Sequence, residues 1–322
     1  MTQLVWLVTG CSSGFGEILI QQILSRGDLA VATGRKLDKL QHLEQLGATI
    51  LELDVTHSQE SINDTVAKAI AVYGRIDVLV NNAAFITTGG WEDIEYNQLL
   101  AQFDTNVFGV FKVTRAVLPH LRERRSGVMV FISSLSGWHG HPFTGPYAGS
   151  KFALEGLVES LSQETEGFGI RTLLIEPGRF RTMLLSPTNL RAVTSSISDY
   201  AGASKTNMDG LAKEDRAQPG DTGKAVKIIL DLVRKEGCAL GKEVPLRFPL
   251  GRDCYDTIKG KCEETLLLLK DWHNVPRLRI NQKPQPQPVL QLVLQLEAEE
   301  AEEAEEAEAE VEVEVEVEED GL

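Results

Sequence analysis

Six short apolar runs, at residues 4–8, 29–33, 49–53, 78–81, 128–132 and 171–175, recur through the first 180 residues with helical segments between them. Runs this short and mostly apolar fit buried parallel strands. Their alternation with helices leaves few architectures, because parallel strands need long crossover connections and helices supply them. The pattern predicts an α/β fold: a doubly wound parallel sheet with helices on both faces, in one domain over about residues 1–280. A helix is expected over residues 222–236 behind an N-cap at Asp221. Residues 243–248 read as an edge strand, weakened by Pro245.

The first run leads directly into Thr9-Gly-Cys-Ser-Ser-Gly-Phe-Gly16, and a helical pattern follows over residues 17–26. Strand, glycine-rich turn and helix bring backbone N–H groups and a helix N-terminus together at one point, which suits a pair of phosphates. The spacing is Gly-x-x-x-Gly-x-Gly, not the better-known Gly-x-Gly-x-x-Gly. A turn that needs glycine for backbone reasons alone is the competing reading. The second run ends in Gly34-Arg35, with no acid at that place. An acid there would hold the ribose 2′-OH of NAD, whereas an Arg accommodates a 2′-phosphate. Arg35, together with the hydroxyls of Ser12 and Ser13, therefore predicts NADP(H) over NAD(H). The alternative is that Arg35 is a solvated surface cation.

Tyr147 and Lys151 stand four residues apart in Pro146-Tyr-Ala-Gly-Ser-Lys, so on a helix their side chains share a face. A phenol ordinarily ionises near pH 10, and a nearby ammonium lowers that value toward useful acid–base work. Spacing alone is weak evidence, since Tyr255 and Lys259 have it too. Context separates the pairs. Ser134 lies thirteen residues before Tyr147, at the carboxyl end of an apolar run, where ligands of open α/β sheets gather. The position thirteen before Tyr255 is Lys242, and Tyr255 reads as a packed aromatic on a late helix.

With these motifs in order, the chain resembles the classical short-chain dehydrogenase/reductase family over about residues 2–250, and the resemblance implies a Rossmann-like fold. It makes Thr9, Gly10, Ser12, Ser13, Gly14, Phe15 and Gly16 the cofactor loop, and Asp54 and Val55 an adenine contact. Asn81-Asn82-Ala83-Ala84 resembles the family's Asn-Asn-Ala-Gly segment, with Ala84 in place of the usual Gly. Pro177, Gly178 and Thr182 match the segment that holds the nicotinamide carboxamide. Asn106, Ser134, Tyr147 and Lys151 match four catalytic positions. By this resemblance Ser134 stabilises the substrate oxygen, Tyr147 gives or takes its proton, Lys151 binds the ribose and lowers the Tyr147 pKa, and Asn106 anchors a proton-relaying water. A ketone/alcohol oxidoreductase is the expected activity, its hydride chemistry belonging to the cofactor. A dinucleotide-binding regulator or scaffold without turnover is the alternative, which needs neither a tuned phenol nor its Ser partner. The glycine spacing disfavours a dehydratase or epimerase.

Residues 179–220 lack sustained periodicity and are expected to form a lid. Phe85, Trp91, Trp138, Phe143 and Met183 are candidate substrate contacts, suited to a mainly apolar, fairly bulky molecule of steroid, lipid or natural-product type. His139 and His141 lack the further ligands of a metal site, so no metal is expected. The four cysteines show no metal spacing and the first apolar run is too short for a signal core or membrane span, which suggests reduced thiols and a cytoplasmic location. Family members commonly pair through the helices read here at residues 94–120 and 147–167, so a homodimer or homotetramer is expected, with a small-molecule substrate and no nucleic-acid partner. Residues 281–296 read as a Pro/Gln-rich linker and apolar patch. The 15 acids from Glu297 to Asp320 equal the whole net charge of −15. So dense a run is expected to be a disordered acidic tail, either a solvating appendage or a docking site for a basic partner.

Overall fold

The computed structural model describes residues 2–273. The linker and acidic tail expected over residues 281–322 lie outside the described residues. The chain divides into two units, Met1–Leu266 and Leu267–Leu322, and the sheet and both cores belong to the first. In chain order the elements are β1 (Val5–Val8), α1 (Gly14–Ser25), β2 (Leu29–Gly34), α2 (Gln41–Gln45), β3 (Thr49–Glu52), α3 (Gln59–Tyr73), β4 (Val78–Asn81) and β5 (Ile86–Thr88). Then come α4 (Tyr96–Phe103), a π-helical turn (Asp104–Gly109), α5 (Val110–Arg124), β6 (Gly127–Ile132), α6 (Gly145–Thr165) and β7 (Ile170–Pro177). The described residues end with β8 (Leu190–Ala192), α7 (Ser198–Glu214), α8 (Thr222–Arg234), β9 (Arg247–Leu250) and α9 (Arg252–Asp271).

Seven strands form one sheet in the order β3-β2-β1-β4-β6-β7-β9, and every pairing in it is parallel. The chain winds outward from β1 in both directions, so the crevice of a doubly wound sheet opens between the carboxyl ends of β1 and β4. The alternation within β1 explains why its run is apolar throughout. Trp6 and Val8 pack with α1 and α8 on one face, through Ile20, Ile23, Val226 and Ile229. Leu7 packs on the other face with α3, α5 and α6, through Ile62, Val66, Val113 and Leu154.

At the amino ends of the strands a buried ion pair ties the sheet to α8. Asp28 accepts hydrogen bonds from the Trp6 indole at 2.9 Å and from the Leu4 amide at 3.0 Å. It is also paired with Arg234, whose side chain is 10% exposed against 2% for Asp28.

The strands expected from the apolar runs are all present, and Asp221 caps α8 by accepting from the Lys224 amide. Three local expectations need correction. The edge strand lies at Arg247–Leu250 rather than 243–248, with Leu174 opposite Arg247. It carries Pro249, whose missing N–H is tolerated because β9 has β7 as its one neighbour. The stretch read as irregular contains β8 and the 17-residue α7. Tyr255 is 57% exposed on α9, not packed.

Candidate active site

A cavity of about 500 Å³ opens at the carboxyl ends of the central strands. One wall is the turn between β1 and α1. Gly10 adopts φ +70°, and a β-carbon there would lie 2.8 Å from the Ala83 backbone, so glycine is what lets the turn approach the β4 end this closely. Ser13 precedes α1 in an extended conformation and makes no side-chain cap. The first-turn amides of α1 thus have neither intrahelical partners nor a capping oxygen, which suits an anion. Thr9 braces this wall from behind, its hydroxyl accepting from the amides of Asn82 at 2.9 Å and Ala83 at 3.1 Å. The Asn82 side chain donates back to the Thr9 and Gly10 carbonyls at 2.9 and 3.0 Å.

The opposite wall is built by the end of β6 and the start of α6. Ser133 and Ser134 follow β6, and Tyr147 and Lys151 reach the cavity from the first two turns of α6. Tyr147 is 6% exposed and Lys151 3%. The Lys151 ammonium donates to the Ile132 carbonyl at 2.8 Å and lies 5.7 Å from the Tyr147 ring centre. Burial pushes the Tyr147 phenol up to about 12, against the pull of the neighbouring Ser134 hydroxyl. Burial also draws Lys151 down to about 8, with the Glu155 carboxylate acting in the other direction. The expected lowering of the Tyr147 pKa by Lys151 is thus overridden in the chain by itself. Burying a phenolate costs more than the Lys151 ammonium, 5.7 Å from the ring centre, returns. At neutral pH the phenol holds its proton and can donate it.

Asn106 is not part of the cavity wall. It sits in the π-helical turn, 1% exposed, with its side-chain oxygen accepting from the Phe85 amide at 3.2 Å. Its side-chain nitrogen donates to the Phe85 carbonyl at 3.2 Å and to Ser150 at 3.1 Å. This amide ties the Phe85 backbone to Ser150 on α6, and its oxygen, with one donor, keeps a second lone pair.

The structure brings most of the expected cofactor positions together. Gly10, Ser12, Ser13, Gly14, Phe15, Arg35, Asp54, Val55, Asn82, Ala83, Pro177, Gly178 and Thr182 line the one cavity. Thr9 and Gly16 stand behind it. Arg35 is exposed at the end of β2, and among the described residues no carboxylate lies within ion-pair distance of it. Of the substrate candidates, Phe85 and Met183 line the cavity and three do not. Trp91 is 89% exposed. Trp138 turns away to stack against Arg247, whose guanidinium lies 5.0 Å from its ring centre. Phe143 takes φ +62°, and its carbonyl accepts from the Thr88 hydroxyl at 2.8 Å. His139 and His141 pack edge to face with each other, ring centres 4.7 Å apart, also outside the lining.

Sequence reading missed the contribution of Phe180, Leu184, Asn189 and Arg191 from the lid, and of Ala101 and Thr105 from the α4 region. Leu190 and Arg191 belong to β8, which pairs in parallel with β5, and Arg191 lies 4.0 Å from the Phe85 ring centre. β8 is three residues, Leu190-Arg-Ala192, too short to show a strand period. Thr105 did stand next to Asn106 and Ala101 five residues before it, which was a usable hint.

Residues 4–192 match the family model described as short chain dehydrogenase. A 3-ketodihydrosphingosine reductase from Bacteroides thetaiotaomicron is 37% identical over 223 residues, covering 68% of this chain and 81% of that protein. Human retinol dehydrogenase 8 is 39% identical over 178 residues, or 53% of this chain and 57% of that protein. The crystal structure of a short-chain dehydrogenase from Streptomyces avermitilis is 36% identical, with a TM-score of 0.75 over 86% of this chain and 98% of the other.

Proposed function

The chain belongs to the short-chain dehydrogenase family, oxidoreductases of the CH–OH group, and on that premise we propose that it reduces a bulky, mainly apolar ketone or aldehyde with NADPH, and oxidises the corresponding alcohol in reverse. The observation that carries the reading is the convergence of Tyr147, Ser134 and Lys151 with the glycine turn before α1 in the wall of one cavity of about 500 Å³. When bound, the nicotinamide supplies or takes up the hydride. Ser134 and Tyr147 hold the substrate oxygen from one side, and Tyr147 passes its proton to that oxygen as negative charge builds there. A phenol held above its ordinary range keeps its proton at neutral pH, the form that reduction needs. Lys151 places a positive charge beneath the ribose-facing side of the site. The α1 amides fit the diphosphate, and Ser12 and Ser13 line the same cavity as Arg35, within the reading that gives them the 2′-phosphate.

Phe85, Phe180, Met183 and Leu184 supply the apolar contacts that support a bulky substrate. Two similar proteins are named for 3-ketodihydrosphingosine in one case and retinol in the other, which supports the reading. The unpaired Arg35 at the end of β2 supports NADP(H). Replacing it by Asp is expected to raise the KM for NADPH about 10- to 100-fold, the loss of one or two charge-assisted hydrogen bonds, and to improve NADH use. Steady-state kinetics with both cofactors and a panel of bulky ketones checks this; a preference for NADH in the parent chain would overturn the cofactor assignment.

Among the described residues, no helix is long and apolar enough to cross a membrane. Phe108, Phe111, Phe152 and Leu157 are 44–53% exposed along the π turn, α5 and α6. So many exposed apolar side chains on adjoining helices support pairing with a second copy. Phe111→Asp combined with Leu157→Asp is expected to leave a monomer by light scattering where the parent chain is a dimer or tetramer.

A further inference from the structure

One turn beyond Lys151, outside the cavity, lies a cluster of charge that the proton transfer does not use. Glu155 and Glu176 are both buried, their side chains 3% and 1% exposed. A single guanidinium serves both. Arg247, from β9, donates through Nη1 to Glu155 Oε2 at 2.5 Å and to Glu176 Oε1 at 2.7 Å, and through Nε to Glu159 at 2.8 Å. The second oxygen of Glu155 accepts from the Ser133 hydroxyl at 2.5 Å. Residue 137 has to be glycine for this to fit, since a β-carbon there would lie 1.9 Å from Glu155 Oε1.

Burying two carboxylates on one cation is costly, and apolar residues of similar volume would hold the fold as well or better. What the cluster touches gives it a use. Ser133 directly precedes Ser134. Glu155 stands four residues after Lys151 on the same face of α6. Glu176 directly precedes Pro177 and Gly178 in the cavity wall. Two bonds fasten the end of β6 to α6: Lys151 to the Ile132 carbonyl and Ser133 to Glu155. They set the distance from Ser134 on one element to Tyr147 on the other.

We propose that Glu155, held in place by Arg247, is a positioning residue for the reaction: through Ser133 it fixes Ser134 against Tyr147, and it supplies the counter-charge of the Lys151 ammonium. The inference rests on the catalytic reading above, because it gives Lys151 and Ser134 their purpose. The groups facing Lys151 are the neutral Tyr147 and Glu155. Those around Glu155 are Glu159 on α6, Glu176 on β7 and Arg247 on β9. Cys254 on α9 is also close, its thiol pushed up to about 12 by burial and so uncharged at working pH. Lys261 from α9 donates to the Trp138 carbonyl in the adjoining turn.

The sign follows from the charges. Burial disfavours the charged form of Lys151, and Glu155 opposes it. Neutralising Glu155 lets the ammonium lose its proton at lower pH, so turnover that needs that charge is lost earlier as pH rises. Glu155→Gln keeps an oxygen for the Ser133 hydroxyl and removes the charge. In the full chain at saturating NADPH, the alkaline limb of the kcat profile is expected to move down by about one pH unit, with roughly tenfold less turnover near pH 8 and a smaller loss near pH 6. A folded Glu155→Gln protein with the parent profile overturns the counter-charge role. Glu155→Asp keeps the charge and shortens the reach, so its alkaline limb should stay in place while kcat falls at every pH. An unchanged kcat in that variant overturns the positioning role, and it does so even if the Gln variant fails to fold. A parent-like Glu155→Gln beside an inactive Tyr147→Phe would sink this inference alone and leave the catalytic reading standing.

Discussion

Tyr147→Phe is expected to bind NADPH within about twofold of the parent chain and to lose turnover by roughly 100- to 10,000-fold, the range a positioned general acid contributes. The substitution removes one oxygen and its proton and little else. Tyr147 is buried and its ring packs in the first turns of α6, so a phenyl ring fills the same space. Most of the proposed cofactor contacts lie away from Tyr147, at the α1 turn and the β2 end. Ser134 remains to hold the substrate oxygen but cannot replace the lost proton at comparable cost. Fluorescence titration with NADPH and single-turnover kinetics with a bulky ketone separate the two effects. Turnover retained in this variant would refute the mechanism, while turnover and cofactor binding lost together would point to a folding defect. A scaffold protein that only binds a dinucleotide would show neither change.

The second large effect lies far from the chemistry. Asp28→Ala is expected to cost about 3–5 kcal/mol of stability, as removal of one partner from a buried ion pair does. For a body of this size that is a fall in Tm of roughly 6–15 °C. Three groups lose their acceptor at once: the Arg234 guanidinium, the Trp6 indole and the Leu4 amide. Arg234 cannot escape by neutralising, since a guanidinium keeps its proton. It has to swing out or unfold the end of α8. The double variant Asp28→Ala, Arg234→Met should lose less than the two single losses combined, because no orphan cation remains. Thermal melts of the four proteins close the cycle. The KM values should be unaffected, as the pair sits at the amino ends of the strands and the cavity at the carboxyl ends. A fall of less than about 1 kcal/mol in the single variant would mean that water reaches Arg234.

How much of this was legible beforehand depended on what kind of signal each part leaves. Strands covered on both faces leave unbroken apolar runs, so Val5–Val8 and Gly127–Ile132 were readable to within a residue. Backbone-driven features were readable too, because glycine and proline report conformation directly; Gly10 is the case in point. α7 was not. Its sequence, Ser-Asp-Tyr-Ala-Gly-Ala-Ser-Lys-Thr-Asn-Met-Asp-Gly-Leu-Ala-Lys-Glu, buries Ser204 alone, so there was no apolar stripe for a helical period to reveal. The edge strand slipped by several residues because what sets its register is Arg247, which three distant carboxylates hold opposite Leu174. Side-chain direction was the least legible property. Composition said that aromatics stood near the crevice. It could not say that Trp138 leans on a guanidinium, or that Phe143 contributes its carbonyl to the fold and not its ring to the cavity.

The short parallel ladder between β5 and β8 sets how the cavity is covered. The Ile86 amide donates to the Asn189 carbonyl at 2.9 Å and the Val193 amide to Thr88 at 2.8 Å, bracketing the three paired residues. Asn207 and Tyr200 on α7 add bonds to Thr88 and Glu92. Moving this cover away from β5 would have to break backbone pairs and not only side-chain contacts. Such a step is cooperative and steeply dependent on temperature, while side-chain rearrangement is not. A product leaving by this route would wait on two three-residue strands, of which Arg191 alone lines the cavity.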